Sequence, residues 1–341
     1  MFQKRSQRLM LLLLILTLGL VLADLSLGPV VIPASDIWNS LSGQGASKTT
    51  WEYIVLNYRL PKTIMAILTG AGLSVCGLLM QTLFRNPLAG PYVLGLSSGS
   101  SLGVALVILG ATWLPQTDFF WTEISLVVAS LIGSMLVLLA VLLVSQKLRD
   151  TMSILIVGLM FGSFTSAFVS VLTYFSSAEQ LQKFTFWSMG SLGNLSWNAL
   201  AILAILVLLG LLLAGYCIKS LDALLLGENY ARSLGINYAK TQRIIIISAS
   251  ILTGSITAFA GPIAFVGLAV PHIARLVFKT SNHRILFVAT LLLGAMLMLF
   301  CDILSQPPGT DLMLPINAIT SIIGAPVVIW LLLQPSKYRK S

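Results

Sequence analysis

The sequence predicts an all-α integral membrane protein of about ten transmembrane helices with an inverted internal repeat, and three observations predict it. Of 341 residues, 57% are hydrophobic and 9% charged, with a mean hydropathy of +0.95; a soluble domain carries far more charge. The apolar runs reach the ~20 residues that a helix rising ~1.5 Å per residue needs to cross the hydrocarbon, and none alternates with a strand's period of two. Lipid offers the backbone no hydrogen bonds, so such a chain satisfies them within helices. The third observation is an offset of 184 residues. It places Arg59 on Arg243, Ile67-Leu68-Thr69-Gly70 on Ile251-Leu252-Thr253-Gly254, Gly77 on Gly261 and Pro87 on Pro271. Four matches in register over 29 residues indicate a repeat.

The first run, "MFQKRSQRLMLLLLILTLGLVLADLSLG", has the basic start and apolar middle of a secretory signal. Its apolar stretch continues to Leu27 with no small-x-small exit, so a retained first helix is expected. Crossings then fall at about 9–27, 61–84, 93–110, 123–145, 152–174, 198–217, 243–260, 263–278, 285–304 and 316–333. The repeat copies lie five crossings apart, an odd number, and so run in opposite directions, as in many transporters. With the N-terminus inside, the inner segments hold Lys4, Arg5, Arg8, Arg85, Lys147, Arg149, Lys219, Arg232, Lys240, Arg243, Arg275, Lys279, Arg284, Lys337, Arg339 and Lys340. The outer ones hold Lys48, Arg59, Lys62 and Lys183. Sixteen against four follows the positive-inside bias. It accounts for the net charge of +9 without nucleic acid or an acidic partner, and it expects both termini in the cytoplasm.

Two polar excursions interrupt the apolar pattern. The inner one, "KSLDALLLGENYARSLGINYAKTQR" (219–243), reads as two short helices broken at Gly227 and ended by Gly235. The membrane does not need it, so it is expected to meet something in the cytosol. The outer one, "FSSAEQLQKFTFWSMGSLGNLSWN" (175–198), carries interfacial aromatics and turn glycines, and reads as a cap on the outer mouth.

The chemistry is narrowed mainly by what the apolar segments omit. All eleven acidic residues fall at expected helix ends or in loops, whereas ion-coupled carriers place ionisable groups at mid-membrane depth, where each costs about 2.5–3.5 kcal/mol. A secondary carrier driven by an ion gradient is therefore the weaker reading, and a channel-like protein leaves the inner excursion without a purpose. No phosphate-binding loop, paired histidine or nucleophile motif occurs. Cys76, Cys217 and Cys301 stand alone in apolar stretches and suit neither a metal nor a disulfide framework. Gly158, Gly162, Ser166 and Ser170 recur every four residues as a stripe of small side chains, suited to close helix packing or to lining a pathway. The stretch "GPIAFVGLAVPHIARL" (261–276) reads as a bend and not as a ligand site, with Pro271 and Pro87 expected at helix starts and His272 and Arg275 in packing roles.

Taken together, "RLPKTIMAILTGAGLSVCGLLMQTLFRNPLAGPYVLGLSSG" (59–99), "WSMGSL" (187–192), "LGENYARSLGI" (226–236), "GPIAFVGLAVPHIARL" and "GAPVVIWLLL" (324–333) resemble the FecCD family of ABC importer permeases, nearly end to end and in order. That family includes iron-siderophore, haem and cobalamin permeases. The resemblance implies a type II importer fold, with residues 1–341 forming one transmembrane permease domain and coupling helices at about 220–236. It implies a second permease copy, identical or closely related, together with two ATPase subunits and an extracytoplasmic substrate-binding protein, in a bacterial cytoplasmic (inner) membrane. No cofactor or metal is expected on this chain, and ATP and Mg belong to the partner ATPase. Leu221, Leu226, Gly227, Glu228, Ala231, Arg232, Leu234 and Gly235 would couple to that ATPase. An inner gate would form from Asn86, Leu88 and Thr151, where Met152 in "RDTMS" departs from the family pattern. The small-residue stripe would line the pathway or the dimer contact, and Arg59 and Lys62 would dock acidic residues of the binding protein. An iron-siderophore is the expected cargo, with cobalamin and haem as alternatives.

Overall fold

Residues 2–110, 123–145, 151–193, 195–310 and 312–333 are described by the structure, a computed structural model. A long α1 (Phe2–Ser26) leads to two short helices, α2 (Ala34–Leu41) and α3 (Thr49–Ile54). α3 runs on through a π turn at Val55–Arg59 into α4 (Leu60–Leu83). Helices α5 (Leu96–Ile108), α6 (Glu123–Ser145) and α7 (Thr151–Tyr174) follow, then α8 (Ala178–Met189) and α9 (Trp197–Tyr216). The inner excursion forms α10 (Ile218–Leu224) and α11 (Glu228–Ser233); α12 (Tyr238–Ala260), α13 (Val266–Phe278), α14 (His283–Ser305) and α15 (Ile316–Leu333) complete the chain. Among the described residues, seven helical segments are long and apolar enough to cross a membrane, and the shorter apolar helices α5, α13 and α15 occupy the other three expected crossings. No strand occurs among the described residues.

The repeat is visible in helix lengths and packing. α4 to α7 run long, short, long, long, and α12 to α15 begin in the same order. The packing is exchanged between copies: α4 lies on α14 as α12 lies on α6, while α4 and α12 meet at the centre. Gly70 and Gly254, matched by the offset of 184, mark the equivalent crossings. A Cβ on Gly70 would overlap the Gly294 carbonyl, and one on Gly254 would come within 3.0 Å of the Leu131 Cα and the Ser134 Oγ. Between helices in lipid the drive is close packing and hydrogen bonding, which small residues permit. The Ser130 hydroxyl accordingly donates to Gly254 O at 2.7 Å. The cysteines Cys76, Cys217 and Cys301 are free and buried, with the Cys76 Sγ 3.2 Å from Thr253 Oγ1 on α12.

Two expectations about prolines need correction. Pro271 lies inside α13 and not at its start, and Pro87 lies in the turn after α4. A helical proline leaves the carbonyl four residues earlier without its usual donor. Here that carbonyl is Gly267 O, and it points at Gly77, where a Cβ would overlap it. Pro271 thus frees a carbonyl for a close backbone crossing between α13 and α4. The copies also diverge here, since α4 continues through Gly77 whereas α12 ends at Gly261 with φ 76°.

The second crossing starts earlier than position 61 because α3 and the π turn extend it. Pro61 has no N–H to give to Asn57 O, and the turn before it widens. At that turn Arg59 faces inward. Its guanidinium donates to Leu25 O at 2.7 Å, to Ser26 O at 2.8 Å and to Val30 O, satisfying carbonyls at the end of α1. One turn further on, Lys62 Nζ pairs with Asp302 Oδ2 at 2.9 Å, and Thr63 Oγ1 donates to Asp24 Oδ2 at 2.6 Å. The helix-end acids Asp24 and Asp302 are both buried. Beyond the bundle, Asp36 accepts from the Ser47 N–H and hydroxyl, both at 2.6 Å, and those donors hold its carboxyl below the usual range.

The outer excursion folds into α8, capped by a reciprocal Ser177–Gln180 box. Lys183 beside Glu179 lowers that carboxyl's pKa. The helix docks on the end of α12, with Trp187 Nε1 donating to Ala258 O at 2.9 Å and Ser191 N to Ala260 O at 3.2 Å.

Gly70→Ala is expected to push α4 and α14 apart at a cost of about 1–3 kcal/mol, lowering the melting temperature in detergent. Gly19→Ala, with nothing within 4 Å of the new Cβ, should leave it unchanged. Lys62→Ala strands the Asp302 carboxylate, 1% exposed, and should cost about 3–5 kcal/mol. The double replacement Lys62→Met with Asp302→Leu should recover most of that loss in the same thermal assay.

Candidate functional site

The site is the end of the bundle where α10 and α11 sit. The excursion forms two short helices, broken at Gly227 (φ 104°) and closed by Gly235 (φ 79°), conformations that a side chain resists. Its residues divide by direction. Leu221 and Ala231 are fully buried and Gly227 is buried, which fixes the loop to the body. Leu226, Tyr230, Arg232, Leu234 and Gly235 are exposed. Arg232 donates from Nε and Nη2 to Glu228 Oε1 at 3.1 and 2.6 Å, an exposed pair one helical turn apart. Such a pair adds only about 0.3–0.5 kcal/mol, so it is not what holds the loop together.

Beneath the loop lies the turn that follows α4. Asn86 is buried, and its Oδ1 accepts from Leu88 N at 2.9 Å, so the side chain spends its acceptor on the turn's own backbone. Leu88 is half-buried. Arg85 adopts a positive φ of 44° and lies against Gly227, where a Cβ would meet its Nη1 at 3.2 Å. α13 grips the turn from the other side. His272 Nε2 sits 2.7 Å from Pro87 O, Arg275 Nη1 donates to Gln81 Oε1 at 2.6 Å, and Gln81 Nε2 donates to Leu268 O at 3.1 Å. His272 and Arg275 are thus the groups that fasten "GPIAFVGLAVPHIARL" to its inverted twin.

Thr151 begins α7, but its side chain and the segment 146–150 before it lie outside the described residues. The stripe above it splits. Gly158 is buried, and a Cβ there would come within 2.8 Å of the Leu94 Cα; Gly162 is half-buried near Ser98; Ser166 and Ser170 are exposed. The cause is helical drift, since four residues advance about 400° and each step winds the stripe about 40° around the axis. The rest of α7 presents Ile156, Leu159, Met160, Phe164, Phe168 and Val171 outward, a broad apolar face. Arg59 and Lys62, at the opposite end, have their cationic groups engaged within the chain, Arg59 buried and Lys62 14% exposed.

The sequence reading missed one group. Asp222 Oδ1 accepts from His283 N at 2.9 Å and lies 2.7 Å from His283 Nδ1, while His283 Nε2 lies 2.9 Å from Thr82 Oγ1. These residues come from α10, α14 and α4, and no local spacing links them.

Residues 12–334 match the FecCD transport family. The chain is 35% identical over 332 residues to the haemin transport system permease protein HmuU of Yersinia pestis, covering 96% of each. It is 34% identical over 335 residues to the vitamin B12 import system permease protein BtuC of Klebsiella pneumoniae, covering 97% of this chain and 95% of that one. A solved structure described as a metal-chelate type ABC transporter in an inward-facing conformation is similar, with a TM-score of 0.81 at 28% identity, over 96% of this chain and 99% of that one. Sharing nearly its whole length with permeases at about a third identity, the chain belongs to the FecCD transport family.

Proposed function

We propose that this chain is the membrane permease of an ATP-driven importer that carries an iron-siderophore across a bacterial cytoplasmic membrane. ATP hydrolysis belongs to a separate partner subunit, as it does for its relatives. The observation that carries the reading is the two-helix loop. It exposes Leu226, Tyr230 and Leu234 around α11, yet its base packs on α4 and on Arg85, the residue before Asn86. A loop built this way suits a cytosolic partner and adjoins the end of the pathway.

The full assembly would hold two permease copies, two ATPases and a binding protein on the outer face. Residues 221–235 would dock in the ATPases, and both termini would lie in the cytoplasm, in keeping with the positive-inside bias. The apolar face of α7 and the exposed Ile322, Ile329 and Trp330 of α15 suit the contact with the second copy. Closure of the ATPases would shift the loop, tilt α7 and α15, and open the gate at Asn86, Leu88 and Thr151 by favouring one of two conformations. Haem and cobalamin are the competing cargoes, because the relatives above are named for haemin and vitamin B12.

Arg232→Ala and Glu228→Gln remove an exposed pair with little folding value, so the complex should still assemble. Uptake and cargo-stimulated ATP hydrolysis should fall at least tenfold together. Unchanged uptake, with no crosslink from Asn229 to an ATPase, would overturn the reading. For the cargo, the partner binding protein should bind a ferric siderophore more tightly than haemin or cobalamin in side-by-side titration; the reverse order would reassign it.

A further inference from the structure

We propose that Asp222, His283 and Thr82 form a positioning relay that carries movement of the α10–α11 loop to the end of α4 and the gate turn; the inference rests on the permease reading above. Asp222 sits on α10, between the buried anchor Leu221 and the break at Gly227. Its carboxylate caps the first turn of α14, accepting from the His283 backbone N–H at 2.9 Å and facing the ring Nδ1 at 2.7 Å. A carboxylate only accepts, so Nδ1 carries the proton in that contact. The other ring nitrogen, Nε2, meets Thr82 Oγ1 at 2.9 Å, and Thr82 also lies 2.9 Å from Leu78 O, one turn back in α4.

Burial gives this chain of contacts its stiffness. The side chain of His283 is 1% exposed and that of Asp222 41%, while Thr82 is 1% exposed. The relay therefore runs from the loop's solvent side into a dry interior, where no water can replace a lost partner. Separating α10 from α4 would leave a nitrogen of the buried imidazole unpaired at a cost of about 1–3 kcal/mol, so the elements move together. Apolar contacts around Leu221 and Leu224 resist compression; hydrogen bonds also resist being pulled apart.

Thr82 is four residues before Asn86. Arg85, between them, touches Gly227 of the loop. Gln81 and Pro87 on either side are held by Arg275 and His272 of α13. The gate turn is thus suspended between a grip from α13 and a grip from the loop. A shift of the loop relative to α13 loads the turn and not the rest of α4.

The test uses the complete complex of permease, ATPase and binding protein in nanodiscs, with ADP–vanadate as the trigger, so no cargo is needed. Spin labels at Leu88→Cys in the two permease copies report gate width, and labels at Asn229→Cys report the loops. In Thr82→Val and in His283→Asn, the loop distance should still respond to the nucleotide and ATP hydrolysis should stay within about twofold. The gate response should fall by at least half. Thr82→Ser, which keeps the hydroxyl, should restore it, and combining Thr82→Val with His283→Asn should do no more harm than either alone. A full gate response in both single variants overturns the relay. So does loss of loop and gate responses together, or failure of Thr82→Ser to rescue, since those mark a purely structural role. Absence of any nucleotide-driven loop response in the unmodified complex would instead remove the permease reading, and the relay with it.

Discussion

The close backbone approach of α4 to its neighbours is the constraint on which the rest of the structure depends. Gly70 lies on Gly294 of α14 and Gly77 on Gly267 of α13, and in each case a single added carbon would meet a carbonyl. Lipid tails are as apolar as leucine, so burying apolar surface gives helices little reason to associate within the membrane. Contact at van der Waals range provides the reason, and only small residues allow it. α4 is accordingly buried from Thr69 to Leu83, and the other helices are arranged around it.

That arrangement separates closely packed parts from more open ones. The centre, where α4 meets α12, α13 and α14, is held by glycine crossings and buried hydroxyls. α7 and α15, by contrast, leave broad faces open, and the two-helix loop is attached through few buried groups. The turn after α4 lies at the boundary, joined to the closely packed centre through Gln81 and Arg275 and to the loop through Arg85 and, by way of His283 and Asp222, through Thr82. A permease has to change shape without losing its fold, and this division meets both demands.

Much of this was legible in the residues themselves. Apolar runs located the crossings because lipid imposes helix and length together, and Gly227 and Gly235 marked the breaks in the loop because both take positive φ. The repeat showed through Gly70 and Gly254 because both copies need a small residue at the same crossing. The fate of side chains was harder to read. Arg59 and Lys62 look interfacial in one dimension, yet the π turn before Pro61 faces Arg59 toward α1, and Lys62 meets an acid 240 positions away. The stripe beginning at Gly158 looked continuous until helical drift carried Ser166 and Ser170 onto another face. His283 and Asp222 come together only through the docking of α10 on α14, which no spacing announces.

The clasp that joins α1, α4 and α14 also says something about how the chain is made. Asp24 enters the membrane system first, Arg59 and Lys62 follow within forty residues, and Asp302 comes last. Until α14 has been synthesised, two cations face one acid, and α1 is tied to α4 by its carbonyl contacts with Arg59 and by Asp24 with Thr63. The second acid arrives with the ninth crossing. The far end of the bundle therefore sets late in biogenesis, and α1, whose middle is largely exposed, is fastened at that end by residues spread over most of the chain.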